Sequence, residues 1–311
     1  MKTVLITGGT GMLGKAITAY LINNGYRLII LTRRIPKEKS NISNIEYALW
    51  DIKEQTIDIA AVQKADHIIH LAGAGVVDKK WTAAYKREIQ ESRTESSKLI
   101  INTLKNNLNK VQTVVSASAI GWYGEDAHGS EKAFVETDAA SIGFLGETCK
   151  LWEQSISPVE ALQKRLVKLR IGIVLSNSGG ALAEFKKPIK LGVAGILGTG
   201  KQVVSWIHID DLCRLFMNAI ENEQISGCYN AVAPEPVTNK SLTLKLAENM
   251  KGKFFIPLHV PSFVLKIMMG DRSIEVLKST TVSSDKIRQT GFSFLYPTID
   301  MALRQLCGKL Q

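Results

Sequence analysis

The feature that most constrains this chain is a glycine-rich turn close to its N-terminus. Residues 7–14 read TGGTGMLG, with glycines at Gly8, Gly11 and Gly14. An apolar β-branched run precedes the turn and a helical pattern of apolar residues follows it, which predicts a strand, a turn and a helix. In that setting Gly8 permits the tight turn, Gly11 lets backbone amides approach a pyrophosphate, and Gly14 lets the helix pack on the strand. The pattern predicts a dinucleotide site.

The same alternation of apolar strands and amphipathic helices continues along the chain. Apolar runs at 28–31, 67–71, 111–116 and 167–175 are separated by helical patterns, the longest of them at 85–104. This spacing predicts an α/β fold, a doubly wound parallel sheet of the Rossmann type with both faces covered. No stretch approaches the roughly 18 uninterrupted apolar residues of a membrane span.

The pattern changes character after residue 206. Helical segments become shorter, a break falls at Pro234 and Pro236, and an apolar stretch at 254–261 ends in proline. We therefore expect a Rossmann domain over residues 1–232 and a smaller C-terminal α/β cap over 233–311. Segments within 176–205 would line the cleft between the two. Asp210 or Asp211 is expected to cap the helix that starts near residue 208.

The end of the second predicted strand indicates which dinucleotide binds. A site specific for NAD carries an acidic residue there, whereas this chain has Thr32, Arg33 and Arg34. Two guanidinium groups can fork a 2′-phosphate, so the sequence predicts NADP(H) as the cofactor. Asp51, after the next strand, is either an acceptor for the adenine amino group or an ordinary turn aspartate.

The net charge and the cysteine content limit which ligands and partners we expect for this protein. The net charge of +10 fits a phosphate-bearing ligand and fits surface lysines equally well, and no basic block with interleaved aromatic residues points to nucleic acid. Four scattered cysteines without a CxxC pair indicate neither a metal site nor disulfides. The N-terminus lacks a secretory pattern, so we expect a cytoplasmic protein without a membrane partner, either a monomer or a homodimer.

These residues resemble the extended short-chain dehydrogenase/reductase superfamily, whose members carry TGxxGxxG. More narrowly, the chain is similar to the atypical epimerase family proteins of the YfcH kind. That similarity rests on the segments HLAGAGVVDKKWTAAYKREIQESR, SASAIGWYG, RIGIVLSNSGGALAEF, LGTGKQVVSWIHIDDL and YNAVAPEPVTN. It extends to GFSFLYPTIDMALRQL, which resembles the small C-terminal domain of that subgroup, whose role is uncharacterised.

The resemblance also exposes a gap. In catalytically typical members a Ser at the end of the fifth strand works with the Tyr and Lys of a YxxxK motif. Ser118 matches the Ser, but the Tyr and Lys positions fall on Leu145 and Cys149. Shifting the alignment by one residue gives Phe144 and Thr148, so neither frame supplies a phenol or an ammonium group.

A replacement proton donor matters because positioned acid–base catalysis contributes about 10² to 10⁴ in rate. Tyr123 follows Ser118 by five residues, in the loop at the carboxyl end of the strand where ligands bind. Ser118 and Tyr123 are therefore the candidate catalytic residues, and the alternative for Tyr123 is an aromatic wall of the substrate pocket. Arg93 is either a contact for a phosphate or carboxylate or a helix-surface arginine.

We expect the cofactor to contact residues from the carboxyl ends of the strands and the turns that follow them. This set comprises Gly8, Thr10, Gly11, Met12, Leu13, Gly14, Arg33, Arg34, Asp51, Ile52, Leu71, Ala72, Gly73, Arg93 and Ser116.

Two functions fit the sequence. The first is an NADP(H)-dependent oxidoreductase or nucleotide-sugar epimerase-like enzyme that acts on an unidentified small polar carbonyl or alcohol, either sugar-derived or acidic. The second is a non-catalytic protein that senses NADPH and regulates a partner. The missing Tyr and Lys favour the second function, and Ser118 favours the first.

Overall fold

The computed structural model describes residues 1–36, 44–127 and 132–308. Its strands are β1 Thr3–Thr7, β2 Arg27–Thr32, β3 Ile45–Asp51, β4 Thr56–Ile57, β5 His67–His70, β6 Thr113–Ala119, β7 Arg165–Ile171, β8 Ile173–Leu175, β9 Val193–Leu197, β10 Val203–Val204, β11 Trp206–His208, β12 Gly227–Ala231, β13 Val237–Thr238 and β14 Ile256–Val260. Its helices are α1 Met12–Asn23, α2 Ile59–Lys64, α3 Ala83–Asn106, α4 Phe144–Ile156, α5 Ala181–Lys190, α6 Ile209–Glu221, α7 Asn239–Lys251, α8 Ser262–Met269, α9 Ser273–Leu277, α10 Asp285–Gln289 and α11 Ile299–Leu306.

An eight-stranded sheet forms the centre of the molecule. Its strand order is β12-β7-β6-β5-β1-β2-β3-β4, and every neighbouring pair is parallel except β3 and β4. The chain runs outward from β1 to β3 and then returns to place β5 on the other side of β1. The strand order therefore reverses between β1 and β5, and ligands of such sheets bind at the carboxyl edge beside that reversal.

Helices cover both faces of this sheet, which confirms the predicted Rossmann architecture. On one face α1 and α6 contribute Ile17 and Phe216 to a buried cluster with the strands. On the other face α2 and α3 contribute Val62 and Leu99 to a second cluster. Among the described helices, none combines the length and the apolar composition that crossing a bilayer would need.

A smaller unit is built from two separated parts of the chain. β9 pairs in parallel with β14, and β10 pairs antiparallel with β13. Its core joins Leu182 of α5 and Trp206 of β11 to Leu246 of α7 and Leu303 of α11. The segment at 176–205 therefore packs with residues beyond 233, and we use the word cap for the two parts together. The boundary at residue 232 stays a prediction.

The continuous strand predicted at 167–175 is wrong. The strand stops at Ile171, and after Gly172 the chain forms β8, which pairs with β11 outside the main sheet. A Cβ atom on Gly172 would lie 2.7 Å from the carbonyl oxygen of Ser205. Glycine is therefore required because the two backbones approach closely there.

The prediction that Asp210 or Asp211 caps α6 is also wrong. The cap is His208, whose Nδ1 accepts from the amide of Asp210 at 3.1 Å. Asp211 is fully buried and instead accepts from the amides of Leu295 and Tyr296 at 2.7 and 2.9 Å. The carboxylate thereby fastens the segment before α11 to the Rossmann domain.

Candidate cofactor and active site

The glycine-rich turn lies between β1 and α1 with no room for side chains at two of its positions. Gly8 has φ +70°, and a Cβ atom there would lie 2.9 Å from the carbonyl carbon and oxygen of Leu71. A Cβ atom on Gly14 would lie 2.2 Å from the carbonyl oxygen of Gly8. Only glycine fits either position, so the start of α1 is held directly over the end of β1.

Gly11 differs from these two glycines. It is the N-cap of α1 with φ −75°, and the nearest atom to a Cβ atom there would be the Gly8 oxygen at 3.4 Å. Thr10 and Gly11 are exposed, no side chain caps the helix, and its first turn holds no acidic residue. The amides at the start of α1 therefore have no side-chain cap within the described chain, and a helix N-terminus of this kind favours an anion.

A buried chain of hydrogen bonds fixes this turn to its neighbours. The Oγ1 of Thr7 accepts from the amides of Leu71 and Ala72, both at 3.1 Å, and lies 2.8 Å from Nδ1 of His70. Because that hydroxyl donates to Nδ1, the proton of the ring sits on Nε2, 3.2 Å from Oγ of Ser97. Burial lowers the pKa of His70 to about 3, so the ring is neutral.

Arg33 and Arg34 follow β2 directly and are exposed at the carboxyl edge of the sheet. Thr32 shapes this turn, since its hydroxyl donates to the carbonyl of Arg34 at 2.9 Å. Within the described ranges neither guanidinium forms an ion pair. Two cations therefore stand next to the glycine turn without a carboxylate partner from the described part of the chain.

Asp51 ends β3, the strand next to β2. Its Oδ1 accepts from the amides of Lys53 and Glu54 at 2.8 and 3.2 Å. The structure therefore shows the turn aspartate that the sequence offered as one alternative, with Ile52 inside that turn. A contact with adenine stays a prediction.

The other half of the carboxyl edge follows β5 and β6. Leu71 and Ala72 brace Gly8 through their backbone, and Gly73 lies against the guanidinium of Arg93, where a Cβ atom would be 2.9 Å from Cζ. Ser116 is paired in register with His70 and is buried, and its hydroxyl donates to the carbonyl of Ala117. The sheet thus brings the predicted cofactor residues to one edge.

Both candidate catalytic hydroxyls lie in a closed network instead of an open pocket. Ser118 donates to Oε1 of Glu153 at 2.7 Å, and Glu153 forms a buried ion pair with Arg170 at 2.8 Å. Tyr123 has 0 % exposure, donates to Asn230 at 2.7 Å and accepts from Arg170 at 2.9 Å. Burial also raises the pKa of the Tyr123 phenol, which opposes its ionisation.

The positions that match the missing Tyr and Lys lie on α4, beside the 3₁₀ turn that follows β6. A Cβ atom on Gly121 would lie 3.4 Å from Cβ of Leu145 and 3.6 Å from Sγ of Cys149. Burial raises the pKa of the Cys149 thiol to about 12, so it stays protonated at neutral pH. Neither side chain supplies a proton acceptor or a cation.

The cap reaches the Rossmann domain on both sides of the cleft. On one side a Cβ atom on Gly180 would lie 3.3 Å from Cε of Met12, so the loop before α5 touches the glycine turn. On the other side Arg272 donates to the carbonyl of Val77 at 2.6 Å. The cleft is therefore bounded by the sheet edge, the glycine turn and the cap.

Sequence reasoning missed the partners of this site. Glu153 and Arg170 are the buried ion pair, and Thr7, His70 and Ser97 form the chain behind the turn. The signals were present, because Arg170 is a charge inside the apolar run VKLRIGIVL and His70 ends the apolar run HIIH. Charged or polar residues in fully buried strands imply partners, although the sequence does not say which residues those are.

Comparison with known proteins identifies the family of this chain. Residues 4–141 match the model of the NAD dependent epimerase/dehydratase family, and residues 260–306 match a domain of unknown function, DUF1731. Epimerase family protein SAR0825 of Staphylococcus aureus (strain MRSA252) is 35 % identical over 309 residues, which cover 99 % of this chain and 100 % of that protein.

Solved structures agree with that assignment. The human epimerase family protein SDR39U1, solved with NADPH, superposes with a TM-score of 0.85 at 25 % identity and covers 99 % of this chain and 100 % of that one. A nucleoside-diphosphate sugar epimerase from Corynebacterium glutamicum gives 0.78 at 30 % identity, covering all of this chain and 59 % of the other. The glycine turn, the sheet reversal and full-length similarity lead to one conclusion: the chain belongs to the NAD-dependent epimerase/dehydratase family and carries a C-terminal DUF1731 domain.

Proposed function

We propose that this protein binds NADP(H) across the carboxyl edge of its sheet. One observation carries the proposal, namely that Arg33 and Arg34 stand exposed and without carboxylate partners in the described residues, at the end of the strand next to the glycine turn. A 2′-phosphate would neutralise them, and two guanidinium groups suit its geometry. The NADPH in the human SDR39U1 structure supports this choice.

Each half of the dinucleotide has its own set of residues in this proposal. The pyrophosphate would lie on the backbone of Gly8, Thr10, Gly11, Met12, Leu13 and Gly14. The adenosine half would lie beside Arg33, Arg34, Asp51 and Ile52. The nicotinamide half would run past Leu71, Ala72, Gly73 and Ser116. When bound, the nicotinamide ring supplies hydride transfer.

The reaction we propose is that of an oxidoreductase or epimerase-like enzyme on a small polar carbonyl or alcohol. Family membership supports it, and the nucleoside-diphosphate sugar epimerase among the similar structures favours a sugar-derived substrate. Ser118 would polarise the reacting oxygen and Tyr123 would handle the proton. Both hydroxyls would first have to exchange their bonds to Glu153 and Asn230 for bonds to the substrate.

A second function is favoured by those same bonds. With Tyr123 fully buried and hydrophobic or neutral side chains at Leu145 and Cys149, the protein could hold NADPH without turnover and report its presence to a partner. In that case the hydrogen bonds of Ser118 would be structural.

Calorimetric titration with NADPH and NADH tests the cofactor. We expect NADPH to bind at least tenfold more tightly, a difference of about 1.4 kcal/mol, and the double variant Arg33→Ala/Arg34→Ala to remove this preference. Arg27→Ala is the matched control, because Arg27 is exposed at the opposite end of the same strand. Equal affinities in the wild-type protein would refute the role of the two arginines.

Stopped-flow absorbance with NADPH and NADP⁺ against a panel of carbonyls and alcohols separates the two functions. An enzyme should oxidise or reduce at least one compound, and Ser118→Ala and Tyr123→Phe should then slow that step about 10² to 10⁴ fold. If the loaded protein turns over none of them, the sensing function is the better description.

A further inference from the structure

The cap exposes two rows of large apolar side chains. The first row runs into β14 at alternate residues, where Phe254, Ile256 and Leu258 are between 56 and 86 % exposed. Alternate residues of a strand point to the same side of it. The second row lies on α8, where Phe263 and Ile267 are 65 and 79 % exposed. Because these two residues are four apart, they share one face of the helix.

The two rows are neighbours in the fold. Pro261 alone separates the end of β14 from the start of α8. At the other end of the strand, the amide of Ile256 donates to the carbonyl of Gly192 at 2.8 Å, which brings the exposed Leu191 beside the first row. We call this surface the cap face, and it comprises Leu191, Phe254, Ile256, Leu258, Phe263 and Ile267.

Nothing in the described part of the chain covers the cap face. β14 is paired with β9 along one edge, and its other edge has no strand beside it among the described residues. On α8 the side chain of Leu265 is buried, so the helix is attached to the cap by one side and presents Phe263 and Ile267 on another. Single exposed apolar residues are ordinary in proteins, but a group of this size in one place indicates a binding surface.

The charges around the cap face have one sign. Lys251 and Lys253 lie just before β14, Lys266 lies on α8, and Lys190 ends α5. All four are exposed, and none forms an ion pair within the ranges that the structure describes. The segment 251–270 contains no acidic residue. The surface is therefore apolar with a cationic border, and its complement is apolar with an anionic border.

This charge pattern distinguishes between two kinds of partner. A second copy of the chain on the cap face would bring the lysines of one copy toward those of the other, and like charges across an interface repel. An anionic bilayer instead offers lipid phosphates to the lysines and hydrocarbon to Phe254 and Phe263. The long stem of a lysine lets its ammonium group stay at the headgroups while neighbouring side chains enter the bilayer.

We propose that the cap face binds the surface of an anionic phospholipid bilayer. The sequence predicted no membrane partner because it contains no apolar run long enough to span a bilayer, but a protein that lies on a bilayer needs no such run. The cap face lies on β14 and α8, whereas the residues proposed for the dinucleotide all lie in the Rossmann domain. The inference therefore goes beyond the proposed function and is independent of it.

Co-sedimentation of the full-length protein with lipid vesicles tests this proposal. One set of vesicles contains phosphatidylcholine with anionic phosphatidylglycerol, and the other contains phosphatidylcholine alone. The double variant Phe254→Ser/Phe263→Ser removes two apolar side chains from the cap face. The double variant Lys251→Gln/Lys253→Gln removes two of its cations.

The matched control is Lys105→Gln/Leu108→Ser. Both residues are exposed near the end of α3, in the Rossmann domain, and Lys105 forms no ion pair among the described residues. Because every substituted side chain is exposed, we expect thermal melting and NADPH affinity of all three double variants to equal those of the wild type.

We expect the wild-type protein to bind the anionic vesicles about tenfold or more tightly than the neutral ones, and each cap-face variant to lose about tenfold or more of that affinity. The control should lose none. Added salt should weaken binding of the wild type and have less effect on Lys251→Gln/Lys253→Gln, because fewer charges remain to be screened.

Fluorescence measures insertion independently of affinity. Vesicles with brominated acyl chains quench an indole that enters the hydrocarbon, so Phe254→Trp should lose more of its added fluorescence than Leu108→Trp. Equal quenching of the two variants would contradict insertion of the cap face.

The proposal is overturned if the wild-type protein binds neither kind of vesicle, if it binds both equally, or if Phe254→Ser/Phe263→Ser binds like the wild type. It is also overturned if light scattering shows a dimer that this variant abolishes and no vesicle binding occurs, because the partner is then a second copy. Wild-type protein that binds anionic vesicles but no NADPH would refute the proposed function and leave the cap face as a bilayer-binding surface.

Discussion

The polar groups in the two halves of the cleft differ in whether they have partners inside the protein. Beside β1 and β2, the start of α1 has no side-chain cap, and the exposed Arg33 and Arg34 form no ion pair among the described residues. Beside β6 and β7, Ser118 and Tyr123 are bonded to Glu153, Arg170 and Asn230 inside the protein. Polar groups that have no partner in the protein indicate that a ligand binds to them. Polar groups that bond to each other inside the protein instead stabilise the fold. Changes in the first region should therefore affect binding, and changes in the second should affect folding.

The largest expected effect is on stability and comes from Arg170→Met. The variant leaves Glu153 charged, buried and without its partner, which should cost about 3 to 5 kcal/mol in the free energy of unfolding. Urea denaturation measures it, with Lys187→Met as the control, because the Lys187–Glu184 pair is exposed. NADPH affinity of the folded fraction should be unchanged. A loss below about 1 kcal/mol would contradict the structural role of the network.

The next effect is a pH dependence carried by His70. Its pKa is lowered to about 3 in the folded protein, whereas the unfolded chain takes up the proton near pH 6.5. Its stabilisation is complete above pH 6.5 and falls as the pH drops toward 3, by about 2 kcal/mol between pH 7.5 and 5. His70→Asn should flatten the stability profile by that amount, and the exposed His259→Asn should not. Parallel profiles for wild type and His70→Asn would show that the ring is not the neutral, buried group described above.

A smaller effect on binding is expected for Gly11→Ala. The φ of −75° suits alanine and the nearest protein atom lies 3.4 Å away, so the unfolding free energy should stay within about 0.5 kcal/mol. The added methyl group occupies the space proposed for the pyrophosphate, so NADPH should bind at least tenfold more weakly, or about 1.4 kcal/mol. Calorimetry and thermal melting on one sample measure both quantities. Unchanged affinity would place the phosphate elsewhere.

The smallest effect is expected for Ser118→Ala. Glu153 keeps two hydrogen bonds from Arg170 when this hydroxyl is removed, so the loss of stability should be about 1 kcal/mol. Denaturant titration measures this change, and NADPH titration should show none. If a substrate is found, the proposed enzyme function predicts that its turnover falls at least a hundredfold in the same variant, and unchanged turnover would leave Ser118 a structural role alone.

Local patterns explain why much of the sheet was predictable. The apolar runs and the glycine turn depend on neighbours a few residues away, so periodicity identifies β1, α1 and β2 and their parallel pairing. The exposed Arg33 and Arg34 follow from the same logic, because they stand directly after a strand whose direction was known.

The features that the sequence did not predict depend on contacts between residues that are far apart in the chain. Gly172 breaks its strand because the carbonyl of Ser205 passes close to it, and Glu153 finds Arg170 across two elements. His208 caps α6 because Asp211 is already used by the amides of Leu295 and Tyr296. None of these partners is near in sequence, so spacing alone could not show which of several polar residues would be buried.

The divided cap also determines the order in which the protein can be completed during synthesis. β9 leaves the ribosome about sixty residues ahead of β14, its pairing strand. Until β14 is made, the apolar residues of α5 and β9 therefore lack part of the cap that buries them. The strands that carry the glycine turn and Arg33 have all their sheet neighbours by then. A nascent chain can thus complete the sheet around the glycine turn first, and the cap is completed only after the final helices emerge.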